Sequence, residues 1–270
     1  MVRKAPAKKA GSPVLALPEG LSLSTPAQLS DAWGFDCLIY GNPGIGKTTF
    51  AASAQRHARG KDVLFVDAEG GTRSISDMDE IRVFNPTTKR DDDGDVISSA
   101  WEQLYEMYLF LAHQEHPFRT LVMDSLTEIQ AMALEDVMRS SKTPEFPNLG
   151  DWGKCNVNMT KMVKAWRNFA RERGWNVIFT ALVTEKKDEQ TGAIVGRAKM
   201  TPGCAELVLG VVDCVGYMDM DRDGKRFLHF SQKGVNIAKV RQPLTGRRML
   251  PGTMEDPTMG KVLDTIYGGK

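Results

Sequence analysis

From residue 36 onward, short apolar runs alternate with amphipathic stretches. Each run is partly β-branched, which is typical of a strand buried on both faces. The candidate strands are residues 37–40, 63–66, 120–123 and 177–181. Between the later strands, residues 101–111 and 155–169 carry apolar side chains at helical spacing, so both predict helices with one buried stripe. Strands that alternate with helices predict a mostly parallel sheet covered by helices on both faces.

The pattern changes after residue 182. Residues 206–220 and 226–240 each predict a strand, and the Asp223-Gly224 pair between them is typical of a hairpin turn. We therefore expect an antiparallel hairpin to complete the sheet near its C-terminal end.

The two ends of the chain lack this regular pattern. Residues 1–13 carry basic side chains and no acid among Ala, Pro and Gly, which predicts a disordered tail. Such a tail either contacts phosphates or only aids solubility. Residues 243–270 predict an irregular tail. One α/β domain is expected between them, at residues 14–242.

Charge and cysteine content limit the classes of partner. The 35 basic and 34 acidic side chains leave a formal charge of +1, which provides no bulk attraction to nucleic acid or membrane. The four cysteines are widely spaced and predict reduced thiols rather than zinc ligands. No stretch reaches the roughly 18 apolar residues that span a bilayer, and the basic start lacks the apolar core of a signal peptide. We expect a cytoplasmic protein with no membrane partner.

Residues 41–48 carry the strongest chemical signal. They read GNPGIGKT and match the phosphate-loop pattern G-x-x-x-x-G-K-[ST], between an apolar strand and the helix-compatible residues 49–58. Glycines let backbone amides approach phosphate oxygens, Lys47 brings a cation to the β- and γ-phosphates, and the Thr48 hydroxyl offers a ligand to Mg²⁺. The motif predicts ATP and Mg²⁺ as cofactors. The predicted nucleotide contacts are Gly41, Asn42, Pro43, Gly44, Ile45, Gly46, Lys47, Thr48 and Thr49.

Two further strands end in acids. The run TLVMD ends at Asp124, where a second Mg²⁺ ligand is expected at the carboxyl edge of a parallel sheet. The run VLFVDAEGG brings Glu69 to the same edge, where a carboxylate could orient and deprotonate the attacking water.

The order of GNPGIGKTTF, VLFVDAEGG, LVMDSLTEI and NVIFTALV resembles the core of RecA-like recombinases, over roughly residues 36–241. The layout is most similar to the small phage-encoded ATPases of the Sak-four type. The resemblance implies a RecA-like P-loop NTPase core, with Glu69 as catalytic base and Asp124 as Mg²⁺ ligand. It also implies a protein of a bacterial host's cytoplasm, if the chain is phage-encoded.

The late segment IAKVR places Lys239 and Arg241 after the predicted hairpin. In RecA-like proteins a similarly placed pair of cations reaches into the ATP site of the neighbouring subunit. The resemblance therefore implies that Lys239 and Arg241 stabilise charge on the transferring phosphate in trans. The alternative is a solvated strand end with two ordinary cations.

One segment departs from the family. Where relatives often carry Gln or His after the fourth strand to sense the γ-phosphate, this chain reads TALVTE, so Thr180 or Thr184 would have to donate instead. Residues 186–202 follow, at the position of a DNA-binding loop in RecA-like proteins, and contain no aromatic side chain. Their cations either hold a DNA backbone or belong to a solvated loop. These cations are Lys186, Lys187, Arg197 and Lys199.

The sequence thus predicts a Mg²⁺-dependent ATPase, and the resemblance implies that DNA stimulates it. The resemblance implies that it binds single-stranded DNA as a homo-oligomer, as a filament or a ring, and promotes annealing or recombination with a single-strand-binding protein. The alternatives are a motor like the hexameric helicases, or a nucleotide-gated module that recruits such a protein or a defence partner.

Overall fold

A computed structural model describes residues 19, 22–25, 34–141, 145–187, 192, 194–241 and 249–268. The basic tail predicted at residues 1–13 lies outside them. The chain divides into two units, Met1–Ala32 and Trp33–Lys270, and the second holds the predicted strands.

A mixed sheet with strand order β12-β10-β9-β1-β7-β6-β2-β3 forms the centre of the larger unit. Its strands are β1 (Asp36–Gly41), β2 (Val63–Asp67), β3 (Arg82–Phe84), β6 (Thr120–Asp124), β7 (Asn176–Lys187), β9 (Cys214–Met220), β10 (Arg226–His229) and β12 (Thr253–Glu255). Two short strands attach to it, β8 (Ile194–Ala198) to β7 and β11 (Lys239–Val240) to β9. A separate pair, β4 (Lys89–Arg90) and β5 (Val96–Ser98), lies outside the sheet.

The strands from β9 through β1, β7, β6 and β2 to β3 are parallel, and β10 and β12 continue the sheet antiparallel. The helices are α1 (Lys47–Ala52), α2 (Ala100–His113), α3 (Leu126–Arg139), α4 (Leu149–Glu172), α5 (Pro202–Val211) and α6 (Met259–Tyr267). The prediction of a mostly parallel sheet flanked by helices, with an antiparallel hairpin near the C-terminus, is confirmed.

Every residue of β1, β2 and β6 is buried, because helices cover both faces of the sheet. One core cluster joins Leu38 and Tyr40 of β1 to Trp166 and other side chains of α2 to α5. The second joins Ile39 of β1 to Phe50 of α1 and to α6. Burying each large apolar side chain contributes about 1.5–3 kcal/mol, so these two clusters fix the plane of the sheet against its helices.

The two strands predicted at residues 206–220 and 226–240 both need correction. Residues 206–211 are part of helix α5, because Pro202 starts a helical turn and Cys204, Ala205 and Val208 are buried at helical spacing. The strand itself is β9, and a turn closed by the Asp221 amide to the Lys225 carbonyl (3.0 Å) leads to a short β10. An apolar run such as LVLGVV at residues 207–212 suits a buried helix and a buried strand equally, which explains the error.

The predicted irregular tail at residues 243–270 is also wrong for the part that the structure describes. Strand β12 pairs with β10, and α6 buries Met259, Val262 and Leu263 in the core. The Thr258 hydroxyl accepts the Lys261 amide at the start of this helix (3.2 Å). The C-terminal segment therefore belongs to the same unit as the phosphate loop.

Candidate active site

Residues 41–48 connect the end of β1 to the start of α1 at the carboxyl edge of the sheet. Gly44 and Gly46 have φ angles of +74° and +104°, which other residues rarely adopt. A side chain on Gly41 would collide with the carbonyl oxygen of Met218 on the adjacent strand β9. The glycines are therefore required by backbone geometry, and they leave the loop amides free of side chains.

Lys47 points back along this loop. Its side chain is buried, and Nζ donates to the carbonyl oxygens of Gly41 (3.2 Å) and Asn42 (3.0 Å). Burial lowers the pKa of the Lys47 ammonium, whereas the nearby carboxylates of Glu69 and Asp124 raise it. An anionic phosphate would relieve this burial cost, because it supplies the countercharge that the carbonyl oxygens lack.

Asp124 lies between two threonine hydroxyls at the same edge. The Thr48 Oγ1 donates to Oδ2 of Asp124 at 2.6 Å, and Thr180 donates to Oδ1. Strand pairing accounts for the second contact, because Met123 of β6 lies opposite Phe179 of β7 and the next residue pair is Asp124 and Thr180. The Thr180 hydroxyl thus donates to the carboxylate of Asp124, whereas the sequence analysis considered it as a donor to the γ-phosphate.

The carboxyl group of Asp124 is almost fully buried, and burial raises its pKa. The two hydroxyl donors lower that pKa, while the carboxylates of Glu69 and Asp67 raise it. A divalent cation bound here would stabilise the ionised form. In the described residues, no group of three or more His, Cys, Asp or Glu side chains is arranged to hold a metal. A cation at this edge would therefore use the Thr48–Asp124 pair together with phosphate oxygens, which is how Mg²⁺ is commonly held.

The two acids after β2 have different roles. Asp67 lies opposite Asp124 in the sheet and accepts the amides of Gly71 (3.0 Å) and Thr72 (3.2 Å), so it closes the turn that follows β2. Glu69 is exposed, and its Oε1 accepts the hydroxyl of Ser125. A solvent-facing carboxylate that is oriented by one hydroxyl can accept a proton from water. Ser125 was not identified from the sequence, since its contact depends on the pairing of β2 with β6.

The donor set fits a nucleoside triphosphate with Mg²⁺. A glycine loop presents backbone amides, a buried ammonium lies against it, and a hydroxyl–carboxylate pair closes one side. When bound, Mg²⁺ would supply positive charge to the phosphate oxygens. The residues of this chain would hold the phosphates, hold the cation and orient an attacking water.

Lys239 and Arg241 lie at the opposite edge of the sheet. Strand β11 pairs Lys239 with Val215 near the start of β9, whereas the phosphate loop follows the other end of β1. Four residues of strand separate the two edges, which is about 13 Å. The Arg241 guanidinium donates to the carbonyl oxygens of Gly210 and Val211 and lies 3.4 Å from Asp213. The structure does not bring these cations to the phosphate loop of their own chain.

The predicted DNA-binding loop is largely a β-hairpin. Strand β7 continues past the sheet to Lys187 and pairs with β8, which carries Arg197 opposite Thr184. The Arg197 side chain is mostly buried and lies 3.9 Å from Glu206. Lys187 is exposed at the end of β7. The four cations therefore differ in exposure: Lys186, Lys187 and Lys199 face solvent, whereas Arg197 is mostly buried.

Lys186 and Lys199 line a groove of about 530 Å³ at the base of this hairpin. The indole of Trp152, near the start of α4, lines the same groove together with Thr184. The aromatic side chain that residues 186–202 lack is thus supplied by a distant helix. Nothing in the local sequence signals this, because Trp152 lies more than thirty residues before the hairpin.

Comparison with known proteins identifies a family that this chain matches. A family model described as an AAA domain matches residues 34–242, which is more than half of the chain. No curated protein matches the chain. In the part of the chain that the structure describes, no helix is long and apolar enough to cross a membrane.

Proposed function

The chain belongs to this AAA-domain family of P-loop ATPases, and we propose that it hydrolyses ATP with Mg²⁺ at the carboxyl edge of β1, β6 and β2. The observation that carries the proposal is the 2.6 Å hydrogen bond from Thr48 to Asp124. It joins the phosphate loop to the acid of β6, although 76 residues separate the two in sequence. A chance glycine turn has no reason to meet a buried carboxylate in this way.

Each side chain has a role in this proposal. Lys47 binds the β- and γ-phosphates, and Thr48 with Asp124 holds Mg²⁺. The loop from Gly41 to Thr49 binds the phosphates through its backbone. Glu69, held by Ser125, orients the attacking water and takes its proton.

We further propose that the ATPase acts on single-stranded DNA. The groove with Lys186, Lys199 and Trp152 supports this, because cations bind the phosphate backbone and an indole stacks on bases without reading their sequence. Lys187 and Arg197 belong to the same hairpin. With a net charge of +1, such a local patch is the kind of site that DNA binding requires.

We also propose head-to-tail assembly, which the position of the remaining cations supports. Lys239 and Arg241 lie at the edge opposite the phosphate loop, so only a neighbouring subunit could present them to an ATP site. Arg241 would then exchange the carbonyl oxygens of Gly210 and Val211 for a phosphate. In this proposal the homo-oligomer on DNA is the active state, and it promotes annealing or recombination, with a single-strand-binding protein as a further partner.

The DNA proposal is tested by fluorescence anisotropy of a labelled single strand, with a non-hydrolysable ATP analogue and Mg²⁺. The double variant Lys186→Gln/Lys199→Gln should weaken binding and reduce the slope of log affinity against log salt by up to about 1.4. The matched control Lys61→Gln/Lys89→Gln removes the same charge at exposed positions elsewhere and should leave the slope unchanged.

Three other outcomes would redirect the proposal. Equal binding by both double variants would remove the groove from the DNA site. Processive unwinding of a duplex would favour the helicase-like motor. No DNA binding, with ATP-dependent binding of a single-strand-binding protein, would favour the interaction module. Electron microscopy of the wild-type protein with the ATP analogue and DNA would show a filament, a ring or neither.

A further inference from the structure

The hairpin formed by β9 and β10 extends beyond the carboxyl edge of the sheet, next to the phosphate loop. Met218 of β9 lies opposite Gly41, and the hairpin continues for two more residue pairs, the second of them Met220 with Arg226, before its turn. Arg226 is therefore the first residue of β10, at the level of the loop. No sequence motif includes it, because its position depends on the packing of β9 against β1.

The side chain of Arg226 lies on the face of the sheet that α1 covers. Side chains alternate along a strand, and Leu228, two residues later, belongs to the core cluster that contains Phe50 of α1. The contact with the loop is direct. A Cβ atom built on Gly46 would lie 3.0 Å from the Arg226 Nε and 3.4 Å from its Cζ.

The guanidinium of Arg226 has no acidic partner in the described part of the chain. No carboxylate oxygen of those residues lies within 4.0 Å of its nitrogens, whereas the adjacent Lys225 pairs with Glu255. The residue is also exposed. A guanidinium that carries five donors and lies against a phosphate-binding glycine has the chemistry to bind an anion in a forked geometry.

We propose that Arg226 binds the nucleotide held by the phosphate loop of its own chain, through the α- or β-phosphate. This inference rests on the proposed ATP site. In the proposed site Lys47 binds the β- and γ-phosphates, whereas the backbone around Gly46 binds the α- and β-phosphates. The guanidinium beside Gly46 therefore meets groups that ADP and ATP share. Arg226 contributes to the affinity for both nucleotides and contributes little to the difference between them.

Calorimetric titration with ADP and with a non-hydrolysable ATP analogue, each with Mg²⁺, tests this assignment. Arg226→Ala should raise the dissociation constants for both ligands by a similar factor of about ten to one hundred, as expected for a lost hydrogen bond to a charged group. Arg226→Lys should fall between Arg226→Ala and the wild type, because it keeps the charge and loses the fork. The matched control Arg222→Ala, in the turn of the same hairpin, removes one exposed cation and should bind as the wild type does.

Thermal unfolding without nucleotide separates a binding defect from a folding defect. Arg226→Ala should unfold at the wild-type temperature, since its side chain is exposed, and should show a smaller stabilisation by ADP. If this variant is unstable, Arg226→Gln replaces it with a side chain of similar length.

The outcomes distinguish a failure of the inference about Arg226 from a failure of the proposed ATP site. Wild-type affinity for both nucleotides in Arg226→Ala would refute the role of Arg226. Weakened binding of the ATP analogue alone would also refute it, because the contact would then be with the γ-phosphate. If Lys47→Ala binds nucleotide normally as well, the phosphate-loop site itself fails; if Lys47→Ala alone loses binding, only the inference about Arg226 fails.

Discussion

Replacing Thr180 by valine tests the chemistry around Asp124 most selectively. The Thr180 hydroxyl and the Asp124 carboxyl group are both almost completely buried, and the hydroxyl donates to Oδ1. Valine has nearly the same shape but cannot donate. A hydrogen bond to a charged group contributes about 1.5–3 kcal/mol, so the ionised carboxylate becomes less stable by about that amount. Since Mg²⁺ binds the ionised form, the Mg²⁺ concentration at half-maximal nucleotide binding should rise about ten- to hundredfold.

The assay is a Mg²⁺ titration at a fixed concentration of fluorescent ATP analogue. Thr120→Val is the matched control, because Thr120 is equally buried, lies at the other end of β6, and its hydroxyl accepts from the side-chain Nδ2 of Asn176 at 3.1 Å. Both variants lose one buried hydrogen bond, so both should unfold at a lower temperature. Only Thr180→Val should need more Mg²⁺. An unchanged Mg²⁺ midpoint in Thr180→Val would refute the assignment of Asp124 to the metal site.

Three further predictions concern the same account. Glu69→Gln should bind ATP normally and hydrolyse it about a hundredfold or more slowly in a steady-state assay, as a lost general base implies; unchanged turnover would place the base elsewhere. Without ligand, Asp124→Asn should unfold at a temperature equal to or higher than that of the wild type, because burial disfavours the ionised carboxylate. It should also lose the extra stability that Mg²⁺ gives to the nucleotide complex. An unfolding temperature of that complex that still rises with Mg²⁺ would contradict this. Arg241→Ala should bind ATP but turn it over up to about a thousandfold more slowly, and mixing it with Lys47→Ala on DNA should restore activity, because some interfaces regain a complete site. No recovery at any ratio, with subunit mixing verified independently, would refute action in trans.

The phosphate loop could be predicted because its chemistry is local. Residues 41–48 contain the glycines, the lysine and the threonine at fixed spacing, and an apolar strand precedes them. Asp124 could be proposed for a similar reason, as the acid that ends an apolar run. Parallel strands bring their carboxyl ends to one edge, so the general placement of both residues follows from the alternation of strands and helices.

Contacts that depend on strand register could not be predicted. Thr180 meets Asp124 because β6 and β7 pair with Met123 opposite Phe179, and Trp152 reaches the groove beside Lys186 and Lys199 from a separate helix. Arg226 reaches Gly46 only through the packing of β9 on β1. These pairings are long-range, and one residue of slip in a strand would turn each side chain to the opposite face.

The C-terminal helix shows a signal that the sequence contained. Met259, Val262, Leu263 and Ile266 recur at helical spacing after Thr258, a residue type that commonly begins helices. Weighing that spacing would have predicted α6. The error at residues 206–211 is of another kind, because the run after Glu206 is apolar throughout and carries no clear period.

The most direct test of the central claim is the rate of ATP hydrolysis by the purified protein, with and without Mg²⁺ and single-stranded DNA, beside Lys47→Ala. Lys61→Ala is the control, since it removes an exposed lysine outside the loop. The wild type and the control should hydrolyse ATP only with Mg²⁺ and faster with DNA. Lys47→Ala should lose tight ATP binding and at least about a hundredfold of the activity, because the cation that faces the terminal phosphates is gone. Hydrolysis by Lys47→Ala at the wild-type rate would contradict the account.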